Sequence, residues 1–216
     1  MKNLLSRKER EKIEIEKTIL QHAEDLFSLN GYENTSMDAL ATSCEYTKRT
    51  IYRYFTCKED LYFAVMLKGH TRLFEAIQSE NQKGSTGYEK IKLSYKAFSD
   101  FYMESSSLFD LMTQIKAIKS KKNPNDLPYF RRYADCIRAL YKEILSLFEM
   151  AHNDKSIRTD VAASQLGFSS IFLLNGFFHM LSLSGDSFVD FFALDKEQFI
   201  GITIKMLFQL LDGEKL

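Results

Sequence analysis

The chain has 216 residues, of which 45% are hydrophobic and 27% charged, a composition that excludes an intrinsically disordered protein. Lysine and arginine number 29, as do aspartate and glutamate, so the overall charge gives no support to nucleic-acid binding. With 9 glycines, 2 prolines and apolar residues three and four positions apart, the chain is predicted to be all-α.

The N-terminus lacks the apolar core of a signal peptide, and no apolar run looks long and clean enough to cross a bilayer. We therefore expect a cytoplasmic protein with no membrane partner. Cys44, Cys57 and Cys136 are odd in number and widely spaced, which favours free thiols over disulfides. No metal site is expected, because no ligand spacing joins His22, His70, His152 and His179, and we expect no cofactor.

The first predicted helix runs from Arg7 to Asn30, with apolar residues on one face, and Gly31 is predicted to end it as a left-handed cap. A second helix is predicted from Thr35, whose hydroxyl can accept from the backbone N–H of Asp38, to about Ser43.

The next two helices also carry cap signals. Thr47 is predicted to cap a third helix from Lys48 to Tyr54, and Thr56 with Glu59 is predicted to form a capping box for a fourth.

Beyond Lys58 the predicted helices lengthen, and breaks fall at Lys83 to Gly87, at Ser105 to Ser107 and at a polar loop from Lys119 to Pro128. The helical stretches between and after these breaks are predicted to be 88–104, a short helix with Phe109, Met112 and Ile115, 129–151, 160–183, and a last helix capped by Asp195 and Gln198 that ends near Leu211.

The segment from Thr35 to Phe55 has the parts of a helix-turn-helix, namely a short helix, a tight turn and a second helix with a polar face. Apolar contacts between the two helices are predicted for Leu40, Ala41, Ile51 and Phe55. Between Tyr46 and Lys58 every charge is basic. Taken alone, Lys48, Arg49 and Arg53 are typical of a solvated face, and Tyr52 and Tyr54 are typical of a core. The ordered combination of these residues favours DNA binding.

Three motifs follow one another in this part of the chain: TSMDALA at 35–41, TKRTIYRYF at 47–55 and KEDL at 58–61. Together with Leu26-Phe27 and Gly31-Tyr32, they resemble the TetR family of transcriptional regulators over roughly Ile19 to Leu61. This resemblance implies an N-terminal three-helix DNA-binding domain, residues 1–60, and a larger helical domain for effector binding and dimerisation, residues 61–216.

The resemblance also implies roles in binding double-stranded operator DNA. Phosphate contacts are expected from Thr35, Ser36, Tyr52, Tyr54 and Lys58. Contacts to bases or neighbouring phosphates are expected from Thr47, Lys48, Arg49, Thr50 and Arg53.

Two positions depart from the family pattern. Glu45 occupies the turn position where the family usually has glycine, and Tyr46 follows it in place of a small apolar residue. If Glu45 must take a positive φ, the cost is roughly 1 kcal/mol. Cys57 replaces a common serine, although Thr56 can serve as the cap.

The stretch from Ala162 to Leu183 is apolar nearly all round, so it must be buried on more than one side. It can be wrapped by its own domain, or it can also face a partner; the family dimerises through its last two helices, which favours a homodimer. The expected interface residues are Leu166, Gly167, Ser170, Leu174, Phe178, Phe199, Ile202, Met206 and Leu210.

The family places an effector cavity among its middle helices, where this chain has aromatic residues at helical spacing. Such residues are also typical of a plain core. The expected pocket residues are Tyr95, Phe98, Tyr102, Phe109, Met112, Phe130, Tyr133, Ile137, Phe172 and Asn175.

The first hypothesis is a ligand-controlled repressor that releases a palindromic operator when a small apolar or amphipathic molecule binds. The alternative is a DNA-binding factor that organises chromosomal sites or recruits a partner without such an effector. A helical enzyme is disfavoured, because no paired carboxylates, nucleophile motif or phosphate loop stands out.

Overall fold

A computed structural model describes residues 6–113 and 123–212. Every regular element within these ranges is helical, which confirms the predicted all-α class. Ile115 and residues 119–122 of the predicted polar loop lie outside the described residues. The α-helices are α1 (Arg7–Asn34), α2 (Met37–Ser43), α3 (Lys48–Tyr52), α4 (Lys58–Asn81), α5 (Gly87–Glu104), α6 (Ser106–Thr113), α7 (Pro128–Asn153), α8 (Ala163–Phe191) and α9 (Lys196–Gln209), with a 3-10 turn at Pro124–Asp126.

Helix α1 begins with a capping box in which the Ser6 hydroxyl accepts from the Glu9 N–H and the Glu9 carboxylate accepts from the Ser6 N–H. Gly31 has φ 75° and ψ 164°, and helical structure resumes after it to Asn34. The positive φ predicted for Gly31 is therefore present, but the residue interrupts α1 instead of ending it.

The first of two compact units contains the described residues 6–69 and 123–135, so it extends past the predicted boundary at residue 60. Its core holds the apolar face of α1 and the start of α4, with Phe27 and Tyr62 both almost fully buried and their ring centroids 5.6 Å apart. This packing fixes the position of α2 and α3, which also contribute fully buried side chains to the unit.

The second unit contains residues 70–113 and the described residues from 136 onward. The N-terminus of α5 is held closely in it, because Asp154 accepts from the Gly87 N–H at 2.7 Å and the Ser156 hydroxyl accepts from the Tyr88 N–H at 2.9 Å. A Cβ atom at Gly87 would lie 2.2 Å from the backbone nitrogen of Ala151. Only glycine fits this approach.

Helix α8 continues to Phe191, eight residues past the predicted end at Leu183. The hydroxyl of Ser184 donates to the Met180 carbonyl one turn earlier, so this residue stays within the helix. Apolar residues then resume, and Val189 is buried. The predicted cap of α9 is confirmed, because Asp195 accepts from the Gln198 N–H.

The expectation that no apolar run could cross a membrane is wrong for α8. Ala163–Ser184 is long and apolar enough by length and composition, and 33% of its apolar window is buried. Buried core helices pass the same test, and α8 packs against α6 and α9 in the second unit. Its composition reflects burial on one side and apolar exposure on another.

Candidate nucleic-acid interface

Helix α2 is capped by Ser36, whose hydroxyl accepts from the Ala39 N–H at 3.0 Å. The predicted cap, Thr35, is wrong by one residue. The Thr35 hydroxyl instead donates to the carbonyls of Leu26 and Gly31, and only 4% of the residue is exposed. Thr35 therefore anchors α1 to the start of α2, and its hydroxyl is engaged within the protein.

The turn between α2 and α3 has the left-handed backbone conformation that glycine usually provides at the end of a helix. No glycine is present in this turn. Glu45 has φ 56°, and the N–H of Tyr46 donates to the Ala41 carbonyl at 3.0 Å while that of Glu45 donates to Thr42. These two bonds make a Schellman motif with Glu45 in the left-handed position. The positive φ considered from sequence is thus present.

Helix α3 starts as predicted at Thr47, whose hydroxyl accepts from the Thr50 N–H at 3.1 Å. It ends at Tyr52, two residues before the predicted end. Leu40, Ile51 and Phe55 are each at most 1% exposed, so the predicted apolar contacts hold α2 and α3 against the first unit's core. Ala41 is half-buried.

The opposite face of α3 presents polar side chains to solvent. Thr47, Lys48, Arg49 and Arg53 are exposed, and 49% of Tyr52 is accessible. The remaining predicted contacts of this region, Thr50 and Tyr54, are half-buried, and Ser36 is exposed.

One acid lies next to this basic surface. Lys48 pairs with Asp38 across the turn at 2.6 Å, and both side chains are well exposed, so the pair adds little stability. It does offset the charge of Lys48, which leaves Arg49 and Arg53 as the other exposed cations of this surface.

Lys58 is half-buried beside α1. Its amine donates to the Glu33 carbonyl at 3.2 Å and lies 4.3 Å from the centre of the Tyr32 ring. Desolvation lowers the pKa of the Lys58 amine, while the nearby charges of Glu33 and Glu59 act in the opposite sense. Lys58 is therefore oriented by the protein, with donor capacity left for a phosphate.

The start of α4 differs from the prediction. The backbone N–H and hydroxyl of Thr56 both donate to Asp60 Oδ2, so Asp60 takes the role predicted for Glu59. Beside this turn, burial raises the pKa of the Cys57 thiol, which keeps it protonated at neutral pH.

The first two turns of α1 lie beside the end of α3. The sequence did not predict that these two parts of the chain are neighbours. Lys8, Lys12 and Ile15 line a hollow of about 610 Å³ that Arg53 and Tyr54 also border. The lysines are four residues apart and Ile15 follows on the same face, but this spacing alone does not identify the helix that it faces.

The ten predicted pocket residues do not line one cavity. Phe130 and Tyr133 belong to the first unit, where both pack on Phe63. Phe172 is 74% exposed, and Asn175 is also exposed, with its amide donating to the Ile171 carbonyl. Ile137 is half-buried in the second unit.

The other predicted pocket residues form a filled aromatic core. Phe98, Tyr102 and Phe109 each contact Phe178, with ring centroids 5.2, 4.8 and 6.2 Å away, and Met112 is buried too. Tyr95 stacks on Phe208 at 5.4 Å, and burial raises its pKa to about 12. The helical spacing of these aromatic residues correctly indicated that they are buried. Their own side chains fill the space where a cavity was expected.

An open groove instead lies between α5 and α9, with a volume of about 840 Å³. This volume is in the range of small-molecule sites. Its apolar lining residues are Leu93, Met103, Ile200, Ile204 and Phe208. The groove was not predicted, because each helix contributes only half of it.

The predicted dimer residues divide between the inside and the outside of the second unit. Gly167, Ser170, Leu174 and Phe178 are buried, and a Cβ at Gly167 would lie 2.9 Å from Leu145. Leu166 and Phe199 are half-buried, whereas Ile202 and Met206 on α9 and Leu210 directly after it are exposed.

On α8, the exposed apolar face is rotated from the predicted one. It carries Phe168, Phe172, Leu173, Met180 and Leu183, of which Phe172 is the most exposed. A helix that is apolar all round gives no sequence signal for which side meets its own core, so four of the predicted α8 residues are buried within the chain, and the side that meets a partner stays a prediction.

Within residues 6–113 and 123–212, no group of three or more histidine, cysteine or acidic side chains is placed to hold a metal ion. His22 lies instead against Ser43, with Nδ1 2.7 Å from the hydroxyl oxygen. That contact ties α1 to α2.

Comparisons with known proteins agree with this geometry. Residues 19–65 match the model of the bacterial regulatory proteins of the tetR family. The chain is 34% identical over 80 residues to the uncharacterized HTH-type transcriptional regulator YuxN of Bacillus subtilis (strain 168), covering 36% of this chain and 28% of that relative. The match therefore spans under a third of that relative's length.

Solved structures of the same fold cover nearly the whole chain. The transcriptional regulator FadR from Bacillus subtilis, in complex with stearoyl-CoA, has a TM-score of 0.71 at 14% identity, covering 92% of this chain and 99% of its own. AibR, in complex with isovaleryl coenzyme A and operator DNA, has a TM-score of 0.68 at 20% identity, covering 90% and 98%. At these identities the likeness shows the fold.

Proposed function

We propose that the chain is a DNA-binding transcriptional regulator of the tetR family, because residues 19–65 match the model of that family of bacterial regulatory proteins. It acts in the cytoplasm as a homodimer, represses its target genes, and releases a palindromic operator when a small amphipathic ligand binds the second unit. The observation that carries this proposal is the exposed basic face of α3 on a buried apolar support.

In the proposed complex, α3 lies in the major groove of the operator. Arg49 and Arg53 are the cations that can read guanine edges with paired hydrogen bonds or contact phosphates. Thr47, Lys48 and Thr50 lie beside them. At the margins, the hydroxyls of Ser36, Tyr52 and Tyr54 and the amine of Lys58 donate to phosphates. Thr35 supports this surface from within, because its hydroxyl is engaged by two carbonyls.

The homodimer is supported by the apolar surface of α8 and α9. Exposed patches of this kind, larger than the single apolar side chains common on monomers, mark interaction surfaces. Phe172, Met180 and Leu183 on α8 and Ile202 and Met206 on α9 are each more than half exposed. A two-fold dimer through this surface presents two α3 helices, which requires an inverted-repeat operator.

Ligand control is supported by two neighbours of the same fold, since FadR and AibR were solved with acyl-coenzyme A molecules bound. Release of DNA requires only that the ligand bind the DNA-free conformation more tightly than the DNA-bound one. We propose this regulatory role without catalysis.

In vitro selection from random duplex DNA with the full-length protein tests the proposal. We expect enrichment of an inverted repeat whose half-site centres are about one helical turn apart or a multiple of it. The matched control is the protein with Arg49→Ala and Tyr52→Ala, which should enrich nothing. Failure of the unsubstituted protein to enrich any sequence contradicts DNA recognition, and enrichment of a single half-site contradicts the dimer.

A further inference from the structure

We propose that the groove between α5 and α9 binds an amphipathic anion, with the anionic group at its Lys83 and Lys92 end and the apolar chain along α9. This proposal rests on the proposed function, because it assigns that regulator's effector site and the chemical class of its ligand.

The two helices run antiparallel along the groove. Phe208, near the end of α9, contacts Tyr88 and Tyr95 of α5, whereas Lys196, at the start of α9, lies 5.6 Å from the centre of the Tyr102 ring. From Lys92 to Met103, α5 rises about 16 Å. The groove is therefore long enough for an extended chain of roughly twelve carbons.

Apolar side chains line the groove without filling it. Leu93, Ile204 and Phe208 are half-buried, and 41% of Met103 is exposed. Gly201 lies between them, and a Cβ atom built there would meet no atom within 4 Å. The missing side chain at this position leaves room for a ligand, in contrast to the filled aromatic core around Phe178.

The charges at the two ends of the groove differ. Lys83 and Lys92 line one end, where the carboxylate of Glu89 already accepts from the N–H groups of Ser85 and Thr86. Lys83 pairs with Glu80. Among the described residues, Lys92 has no carboxylate partner, and its amine lies 5.4 Å from the centre of the Tyr88 ring.

At the other end, the lining carboxylates are those of Asp100 and Glu197. Asp100 pairs with Lys96 at 2.5 Å, and the Glu197 carboxylate lines this end without lining the Lys92 end. Charge complementarity thus favours an anionic group beside Lys92 and an apolar chain directed toward Met103.

Isothermal titration of the DNA-free full-length protein with dodecanoate, kept below its micelle concentration, tests this assignment. Dodecyltrimethylammonium serves as the probe of opposite charge and equal chain length. We expect dodecanoate to bind at least 10-fold more tightly than the cation. Equal binding of both, or tighter binding of the cation, overturns the proposed anion preference.

Three variants locate the bound molecule. Gly201→Leu places a side chain in the groove at a position where a Cβ meets no atom within 4 Å, and Lys92→Glu reverses the charge at its basic end; each should weaken dodecanoate binding at least 10-fold. Gln198→Leu adds the same side chain to α9 at a position outside the groove lining and should bind as the unsubstituted protein does. Unchanged binding by Gly201→Leu overturns the site, provided that circular dichroism shows the protein folded.

DNA binding is measured separately on the selected operator. A Gly201→Leu protein that binds the operator but no longer responds to dodecanoate supports the site as the effector site. If the unsubstituted protein binds dodecanoate in the groove but no operator, the regulator function fails while the groove assignment holds. If dodecanoate binds there without changing operator affinity, the effector assignment is overturned.

Discussion

The carboxylate of Asp60 accepts a hydrogen bond from the backbone N–H of Tyr129, 69 residues away in sequence, at 3.0 Å. Its other oxygen accepts from the N–H and hydroxyl of Thr56, and Asp60 is fully buried. One side chain thus joins the turn after α3 to the first turn of α7. The support of α3 therefore depends on residues distant in the chain.

Replacing Asp60 with Ala should destabilise the protein by about 3 kcal/mol, because a buried N–H and the donors of Thr56 lose their charged acceptor. Thermal unfolding followed by circular dichroism measures the change. The control is Glu59→Ala, which removes the same charge from the adjacent position, in the first turn of α4, and should change stability by at most about 1 kcal/mol. Equal effects of both substitutions would show that Asp60 has no special structural role.

Glu45→Gly should stabilise the protein by up to about 1 kcal/mol, since glycine takes a positive φ without steric cost. The measurement is the shift in the unfolding midpoint. Glu45→Ala removes the carboxylate but keeps a Cβ, so no comparable gain is expected from it. A gain from Ala as large as that from Gly would assign the effect to charge and not to the backbone.

The sequence predicted the helical class and the polar face of α3 because caps, apolar spacing and motif order are local signals. Thr47 and Asp195 were predicted as caps from their residue type and position, and each accepts from an N–H three residues ahead. Thr35 and Ser36 are adjacent and chemically alike, so sequence could not decide between them; the contacts of Thr35 with Leu26 and Gly31 decided it.

The non-local features could not be predicted in the same way. Asp60 and Glu59 are neighbouring acids, and only the position of Tyr129 shows why Asp60 is buried. On α8, Phe178 and Phe172 have the same residue type and a similar sequence environment, yet Phe178 is fully buried and Phe172 is 74% exposed. Which side of α8 packs on α6 and α9 depends on the assembled unit.

Gly87→Ala should destabilise the protein by about 2 to 3 kcal/mol, because its Cβ would overlap the backbone of Ala151 and force α5 and α7 apart. Chemical denaturation is the appropriate measurement. Gly201→Ala is the matched control: it also lies within a helix but has open space around it, and it should stabilise the protein by about 1 kcal/mol. A neutral Gly87→Ala would refute the close contact.

Phe172→Arg should convert the proposed dimer to a monomer at micromolar concentration, because it places a charge in the apolar surface shared by α8 and α9. Sedimentation velocity measures the mass. Leu29→Arg, at an 81% exposed apolar residue of α1, should leave the dimer intact. A Phe172→Arg protein that remains dimeric would place the interface elsewhere.

Operator affinity of the Arg49→Ala, Tyr52→Ala double variant tests the central claim most directly. Fluorescence anisotropy on the selected operator should show at least a 100-fold loss of affinity, corresponding to about 3 kcal/mol for two lost contacts, with an unchanged far-ultraviolet circular dichroism spectrum. Lys17→Ala removes an exposed charge from α1 and should bind as the unsubstituted protein does. Undiminished affinity of the folded double variant would contradict the assignment of α3 as the DNA-recognition helix.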